Sequence, residues 1–180
     1  MVYIDFDGVI LDTEEQLFKE WRKNPNRHLL PSIEKIKYIQ NEDWNYILNN
    51  SEVMNDSIYY LKEMDPNKSA ILTKVHSLEN EAFAKIEWIR KNDIKQNIFF
   101  VPYNKKKSDV VLAQDNILID DCLKNLDEWV HNNGNGIFFD YNNDGYDSWD
   151  KPNIKSYPSI NNLSKFTKNR LKEERIWKKR

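Results

Sequence analysis

Hydrophobic residues recur along this chain in two rhythms. Short unbroken apolar runs fall at residues 2–4, 70–73, 98–101, 117–119 and 136–139. Runs of that length, rich in Ile, Val and Phe, are what strands buried on both faces require. Between them the apolar residues take helical spacing. Residues 13–23 read as a helix with Thr13 as its cap, Glu14 and Glu15 in its first turn, and Leu17, Phe18 and Trp21 as an apolar stripe. Asn24-Pro25-Asn26 breaks it. Pro31 suits the start of a second helix carrying Ile33, Ile36 and Ile39. Trp44, Ile47 and Leu48 predict a short third helix, residues 53–64 a longer fourth, and Asp65-Pro66-Asn67 ends the section.

After the second run, Ala82, Ile86 and Ile89 share one helix face. The third run is closed by Pro102, followed by Lys105-Lys106-Lys107 and a helix expected to open at Ser108. The fourth run leads into a helix with Leu123, Leu126 and Val130, which Asn132-Asn133-Gly134 ends with a glycine in the expected place. Residues 142–158 read as loop, and residues 161–180 as a basic amphipathic helix. Strand and helix in alternation predict an α/β fold, a doubly wound (Rossmann-like) parallel sheet of about five strands. A small helical insert follows the first strand. The expected organisation is a core of residues 1–12 and 66–160, an insert of residues 13–65, and the C-terminal helix.

Composition narrows the class. At 180 residues the chain suits one domain, and 39% hydrophobic with 13% aromatic residues supplies a core. A formal charge of −2 gives no global basic field for nucleic acid. No apolar run approaches the roughly 20 residues of a membrane span, and the start lacks the pattern of a signal peptide. The single cysteine, Cys122, leaves no internal disulfide and no Cys-based zinc site. A cytoplasmic protein is expected.

The chemistry lies where strands end. The first run stops at Asp5 and Asp7 with Gly8 behind them, the second at Thr73, the fourth at Asp120 and Asp121, and lysines follow the third. In a parallel sheet those ends share one edge, the edge where open α/β sheets place ligands. Two carboxylates about 4 Å apart repel by roughly 4 kcal/mol at an effective dielectric near 20. A cation or a shared proton relieves that repulsion. An oxygen-only pocket suits a hard divalent ion, and Mg²⁺ fits a site with few protein ligands. Plainer readings stand beside these. Asp7-Gly8 can close a surface turn, Thr73 and the Asp120-Asp121 pair can cap helices, Lys105 to Lys107 can be a solvated run, and His76 a loop residue.

In order along the chain, Asp5-Phe6-Asp7-Gly8-Val9, Thr73, a lysine near Lys107 and Ile119-Asp120-Asp121 resemble the haloacid dehalogenase superfamily of phosphatases, over residues 1 to about 140. The Leu118-Ile119-Asp120-Asp121 ending, the small insert and the short length are similar to 5′(3′)-deoxyribonucleotidase-type members. The resemblance implies a Mg²⁺-dependent phosphomonoesterase acting on a small phosphorylated metabolite, with a (deoxy)nucleoside monophosphate as the leading substrate. It implies Asp5 as nucleophile and Asp7 as general acid and base. Thr73 would bind a phosphoryl oxygen and Lys107, with Lys106 as second choice, would balance charge. The metal would be held by Asp5, the backbone carbonyl of Asp7, and Asp120 or Asp121. The insert would be a cap over the site. Thr73, Lys74, Trp44 and His76 are candidate substrate contacts, and Trp21, Trp44 and Tyr46 could stack on a base or simply pack the insert.

Two other readings have some support. A response-regulator receiver also combines acidic residues, Thr and Lys, but in another order, and here the third strand offers no terminal Asp. A nucleic-acid end-processing or nucleic-acid-binding protein would use the basic residues 165–180. A small-molecule phosphate ester is the expected partner, nucleic acid and membrane are not, and the oligomeric state is left open.

Overall fold

The computed structural model describes residues 1–23, 31–141 and 157–167. Strand β1 (Val2–Ile4) lies inside a six-stranded parallel sheet. On one side of it stand β2 (Ser69–Val75) and then β3 (Asn97–Pro102). On the other stand β4 (Ile117–Asp120), β5 (Asn135–Phe139) and the two-residue β6 (Ser159–Ile160). The order is therefore β3-β2-β1-β4-β5-β6. This is the doubly wound order, and it differs from the 2-1-3-4-5 order of receiver domains, which sets that reading aside. In register, Ile4 stands opposite both Ile71 and Ile119, so the polar ends of β1 and β4 come level.

Helices α1 (Thr13–Arg22), α2 (Ser32–Gln40), α3 (Trp44–Asn50) and α4 (Ser57–Glu63) form the insert between β1 and β2. Helix α5 (Glu81–Lys91) joins β2 to β3, and α6 (Leu123–His131) joins β4 to β5. Alternation along β1 sends its side chains to opposite faces. Val2 and Ile4 join Phe6, Ile71, Ile119, Trp88 and residues of α3 on one face. Tyr3 joins Leu72, Leu118, Leu126 and Trp129 on the other.

Several boundaries differ from those the sequence pattern predicts. Asp12, not Thr13, caps α1 by accepting from the Glu15 amide. Helix α4 begins at Ser57 rather than at residue 53, because Val53 bridges to Leu11 and Asn55 and Asp56 take positive φ of 38° and 59°. Strand β2 runs on to Val75, so Thr73 is interior to it. The expected helix at Ser108 is a single 3-10 turn, Lys107–Asp109. Beyond α6 the left-handed residue is Asn133 at φ 62°, while Gly134 is small because a Cβ there would come 2.2 Å from Trp129 Nε1. A sixth strand joins the expected five. Of the C-terminal segment, Leu163–Phe166 is a 3-10 turn whose Leu163 and Phe166 enter the core. The Asn24-Pro25-Asn26 break, most of the loop at 142–158 and the basic helix beyond residue 167 lie outside the described residues.

Ile4 has no exposed surface and touches both neighbouring strands. Ile4→Ala is expected to cost about 2–5 kcal/mol, the cost of a buried aliphatic truncation. Urea denaturation checks this as a lowered midpoint with an unchanged slope.

Candidate active site

Asp5 follows the last residue of β1, and its amide still donates to the Ile119 carbonyl at 2.9 Å. The chain then turns through Gly8 at φ 73°. A Cβ on Gly8 would lie 2.0 Å from Asp121 Oδ2, so only glycine lets the Asp121 carboxylate come against this turn.

Two buried lysines organise the charges. Lys107 Nζ lies 2.9 Å from Asp5 Oδ1 and 2.6 Å from Asp120 Oδ2. The Phe6 amide donates to the same Asp5 oxygen at 2.8 Å, so Asp5 Oδ2 carries neither bond. Asp120 is also bound by the Cys122 amide at 2.8 Å and by Asn125 Nδ2 at 3.1 and 3.2 Å. Burial opposes a charge on Lys107, but the Asp120 and Asp5 carboxylates outweigh it and hold the ammonium above its ordinary range. For Asp5, burial and then the charges of Asp120 and Asp7 outweigh Lys107, and its pKa is pushed up to about 7. Burial, followed by the charges of Asp120 and Asp5, raises Asp121 well above the usual carboxylate range.

Lys85 is the second lysine. Its Nζ lies 2.6 Å from Asp7 Oδ2, 2.9 Å from Glu81 Oε1 and 3.0 Å from Thr73 Oγ1. Thr13 Oγ1 donates to the other Asp7 oxygen at 2.7 Å, a role open to Thr13 because Asp12 does the capping. Burial lowers the tendency of Lys85 to ionise, yet Asp7 and Glu81 together raise it. Burial acts against the Glu81 carboxylate, and Lys85 and His76 more than reverse that, leaving Glu81 below its ordinary range.

A cleft of about 410 Å³ opens over these groups. Asp5, Asp7, Gly8 and Asp121 line its base, and Leu17, Phe18, Trp21, Ile39 and Trp44 give it an apolar wall from the insert. Lys74 is the lysine among the lining residues, and His76, stacked on Tyr103 at 5.3 Å, forms part of the rim. Of the residues singled out from sequence, Asp5, Asp7, Asp121, Lys74, His76 and Trp44 therefore face the cleft. Lys107 and Asp120 stand behind Asp5 without lining the cavity, Lys107 holding Asp5 and Asp120 holding Lys107. Thr73 is fully buried, with its hydroxyl beside Asp7, Lys85 and the Lys74 carbonyl; β2 continues past it, so it does not reach the cleft. Lys105 and Lys106 are exposed. Tyr46 is outside the cleft, with Lys23 over its ring at 5.8 Å.

Lys85, Glu81, Thr13 and Asn125 were not anticipated as site residues. A signal for the first two exists: Glu81 and Lys85 sit four apart on the face of α5 that also carries Ala84, Trp88 and Ile89. Charges on an apolar stripe are paired or they are not tolerated.

The donor set fits a hard metal ion. Asp5, Asp120 and Asp121 each offer an oxygen, and the three atoms lie within 4.8 Å of one another. With Asp120 already bound by Lys107, Asn125 and an amide, Asp121 and Asp5 are the more open pair.

No known protein-family profile matches the sequence, and no curated protein does. Solved structures match over nearly the whole chain. A HAD phosphatase from Thermococcus onnurineus superposes with a TM-score of 0.57 at 15% identity, over 97% of this chain and 99% of that one. L-2-haloacid dehalogenase from Xanthobacter autotrophicus gives 0.55 at 11%, over 91% and 95%. The β-phosphoglucomutase of Clostridium difficile gives 0.53 at 14%, over 96% and 95%. The fold is that of haloacid dehalogenase superfamily hydrolases. One fold here carries a phosphatase, a dehalogenase and a mutase, so the reaction has to be argued from the side chains.

Lys107→Met leaves two buried carboxylates facing each other, and a loss of about 3–5 kcal/mol is expected at pH 8. Without the ammonium, the already raised Asp5 pKa rises further. The folded state then binds protons that the unfolded chain does not, so its stability grows as pH falls through neutrality. Chemical denaturation at pH 8 and pH 5.5 is expected to show the smaller penalty at the lower pH.

Proposed function

We propose that this protein is a Mg²⁺-dependent phosphomonoester hydrolase, with nucleoside monophosphates as its leading substrates. The observation that carries the reading is the state of Asp5: one carboxylate oxygen is tied to the Phe6 amide and Lys107, and the residue lines the floor of a cleft beside Asp121. A carboxylate held this way is a positioned nucleophile.

Asp5 attacks phosphorus and forms an aspartyl-phosphate as the ester P–O bond breaks. Asp7 gives its proton to the departing alkoxide oxygen, then takes one from the water that cleaves the acyl phosphate, releasing inorganic phosphate and free Asp5. Lys107 offsets the charge on Asp5, and Lys74 supplies a cation in the cleft for the phosphoryl oxygens. Thr73, hydrogen-bonded to Asp7, helps fix the acid rather than meeting the substrate. Asp5, the Asp7 carbonyl and Asp121, backed by Asp120, would hold the Mg²⁺. Bound there, the ion supplies the positive charge that lets an anionic nucleophile meet an anionic ester.

The leaving group lies against the insert. Its wall of Leu17, Phe18, Trp21 and Trp44 suits a flat apolar group such as a nucleobase, and a cleft of about 410 Å³ falls within the roughly 300–1,000 Å³ of small-ligand sites. The deoxyribonucleotidase-type resemblance, carried by the small helical insert, the short length and the Leu118-Ile119-Asp120-Asp121 ending, is the other ground for choosing nucleotides.

The purified protein is expected to release phosphate from p-nitrophenyl phosphate in Mg²⁺, to stop in EDTA, and to lose on the order of 10⁴-fold or more in Asp5→Asn. Across a panel of phosphorylated metabolites, kcat/KM is expected to be highest for nucleoside monophosphates. Full activity in Asp5→Asn overturns the mechanism. Equal, feeble rates across the panel overturn the nucleotide preference alone.

A further inference from the structure

Lys85 has no exposed surface, yet no substrate can use it. Four acceptors surround its three N–H groups: Asp7 Oδ2, Glu81 Oε1, Thr73 Oγ1 and, at 3.3 Å, the Lys74 carbonyl. It does not line the cleft. Its ammonium lies over Phe6 and Trp44, with Nζ 5.2 and 5.7 Å from the ring centroids. A buried ion pair is at best weak support for stability, since apolar residues of the same volume commonly do as well. Its role is better sought in what it holds.

What it holds is Asp7. The Asp7 carboxyl is the partly open member of the trio, with 32% side-chain exposure against 0% for Lys85 and 2% for Glu81. One of its oxygens is fixed from the insert by Thr13, and the other from the core by Lys85 and Thr73. Glu81 fixes Lys85 in turn and is itself anchored at Oε2 by the His76 amide at 2.7 Å. The chain of contacts thus runs from the rim of the cleft, through α5, to the Asp7 carboxyl at its base.

We propose that Glu81 and Lys85 are positioning residues that hold the Asp7 carboxyl in line with the leaving-group oxygen. This rests on the phosphatase reading above. In the step they serve, the ester P–O bond breaks and its electron pair goes to the alkoxide oxygen. That oxygen takes the proton borne on Asp7 Oδ1, the oxygen that Lys85 and Thr73 do not hold, as the new Asp5–P bond completes. An ester whose alcohol departs as a stable anion needs little of this help; an alkyl ester needs all of it.

The test compares p-nitrophenyl phosphate with an alkyl phosphate by kcat/KM, which reports steps up to formation of the phospho-enzyme. Lys85→Met and Glu81→Gln are expected to lower kcat/KM on the order of 10²-fold for the alkyl ester, the scale of lost general-acid help, and less than about tenfold for the aryl ester. The same replacements in an Asp7→Asn background are expected to add no leaving-group effect. Should Lys85→Met not fold, the Glu81→Leu/Lys85→Met double variant removes the internal pair while conserving volume, and the same ratio is read on it. Equal losses on both esters in an active protein overturn the positioning role and leave the phosphatase reading intact. A wild-type protein inert toward both esters overturns the two together.

Discussion

The site depends on counter-charge at the end of a buried strand. Five carboxylates, from Asp5, Asp7, Glu81, Asp120 and Asp121, crowd around two buried lysines, a balance of −3 if all are ionised. Unit charges 4 Å apart interact by roughly 4 kcal/mol at an effective dielectric near 20, so such a cluster is unstable unless cations or protons fill it. The lysines divide the task. Lys107 serves Asp5 and Asp120, and Lys85 serves Asp7 and Glu81. The surplus falls on Asp5 and Asp121, and these are the two carboxyls whose proton affinity rises most plainly. Positive charge is therefore shortest at Asp5 and Asp121, where the proposed Mg²⁺ would bind.

Topology explains why this crowding occurs where it does. The chain runs from β1 to β2 to β3 on one side, then crosses back to place β4 on the other flank of β1. The order reverses at β1, and crevices form outside the C-terminal strand ends at such switch points. Because Ile4 is level with Ile71 and Ile119, one further residue on β1 and on β4 brings Asp5 and Asp120 into reach of one lysine. The insert adds what the sheet edge lacks, an apolar wall and the Thr13 hydroxyl on Asp7.

Legibility in the sequence followed the strength of the local signal. Four of the five longer strands are almost wholly buried, and although β3 lies at the sheet edge with Asn97 and Phe99 exposed, a continuous apolar run marked all five; β6, two residues long, has no such run. Asp5, Asp7, Asp120 and Asp121 could be read because they stand at strand ends with a glycine or a second acid beside them. Where tertiary contacts set the conformation, the pattern misled. Residues 53–64 read as one helix, but Val53 bridges to Leu11 and the chain then passes through two left-handed residues, Asn55 and Asp56, before the helix begins. Thr73 looked like a strand terminus because Lys74 follows it, although β2 continues with Lys74 at the cleft. Lys85 was hidden because a lysine on a helix usually points to solvent; only its place on the stripe of Ala84, Trp88 and Ile89 betrays its burial.

A fold that carries both dehalogenases and phosphatases leaves the choice to the second acid and the third carboxylate. A halide departs as a stable anion and needs no proton, so a dehalogenase has no use for an acid beside its nucleophile. Here Asp7 is bound on both oxygens by residues drawn from three separate segments, α1, β2 and α5. Lys85 and Thr73 hold Oδ2, and Oδ1, shared with the Thr13 hydroxyl, is the oxygen left to carry the proton in the proposed reaction. Asp121, pressed against Gly8 and crowded by Asp120 and Asp5, keeps its proton more readily than an isolated carboxyl and adds negative charge only once a cation displaces that proton. A cation that tolerates three carboxylates turns the same charge into an attraction for a phosphoryl group. These are the two features on which the proposed phosphoryl chemistry rests: an acid for a basic leaving oxygen, and clustered carboxyls that could hold a cation for a doubly charged head.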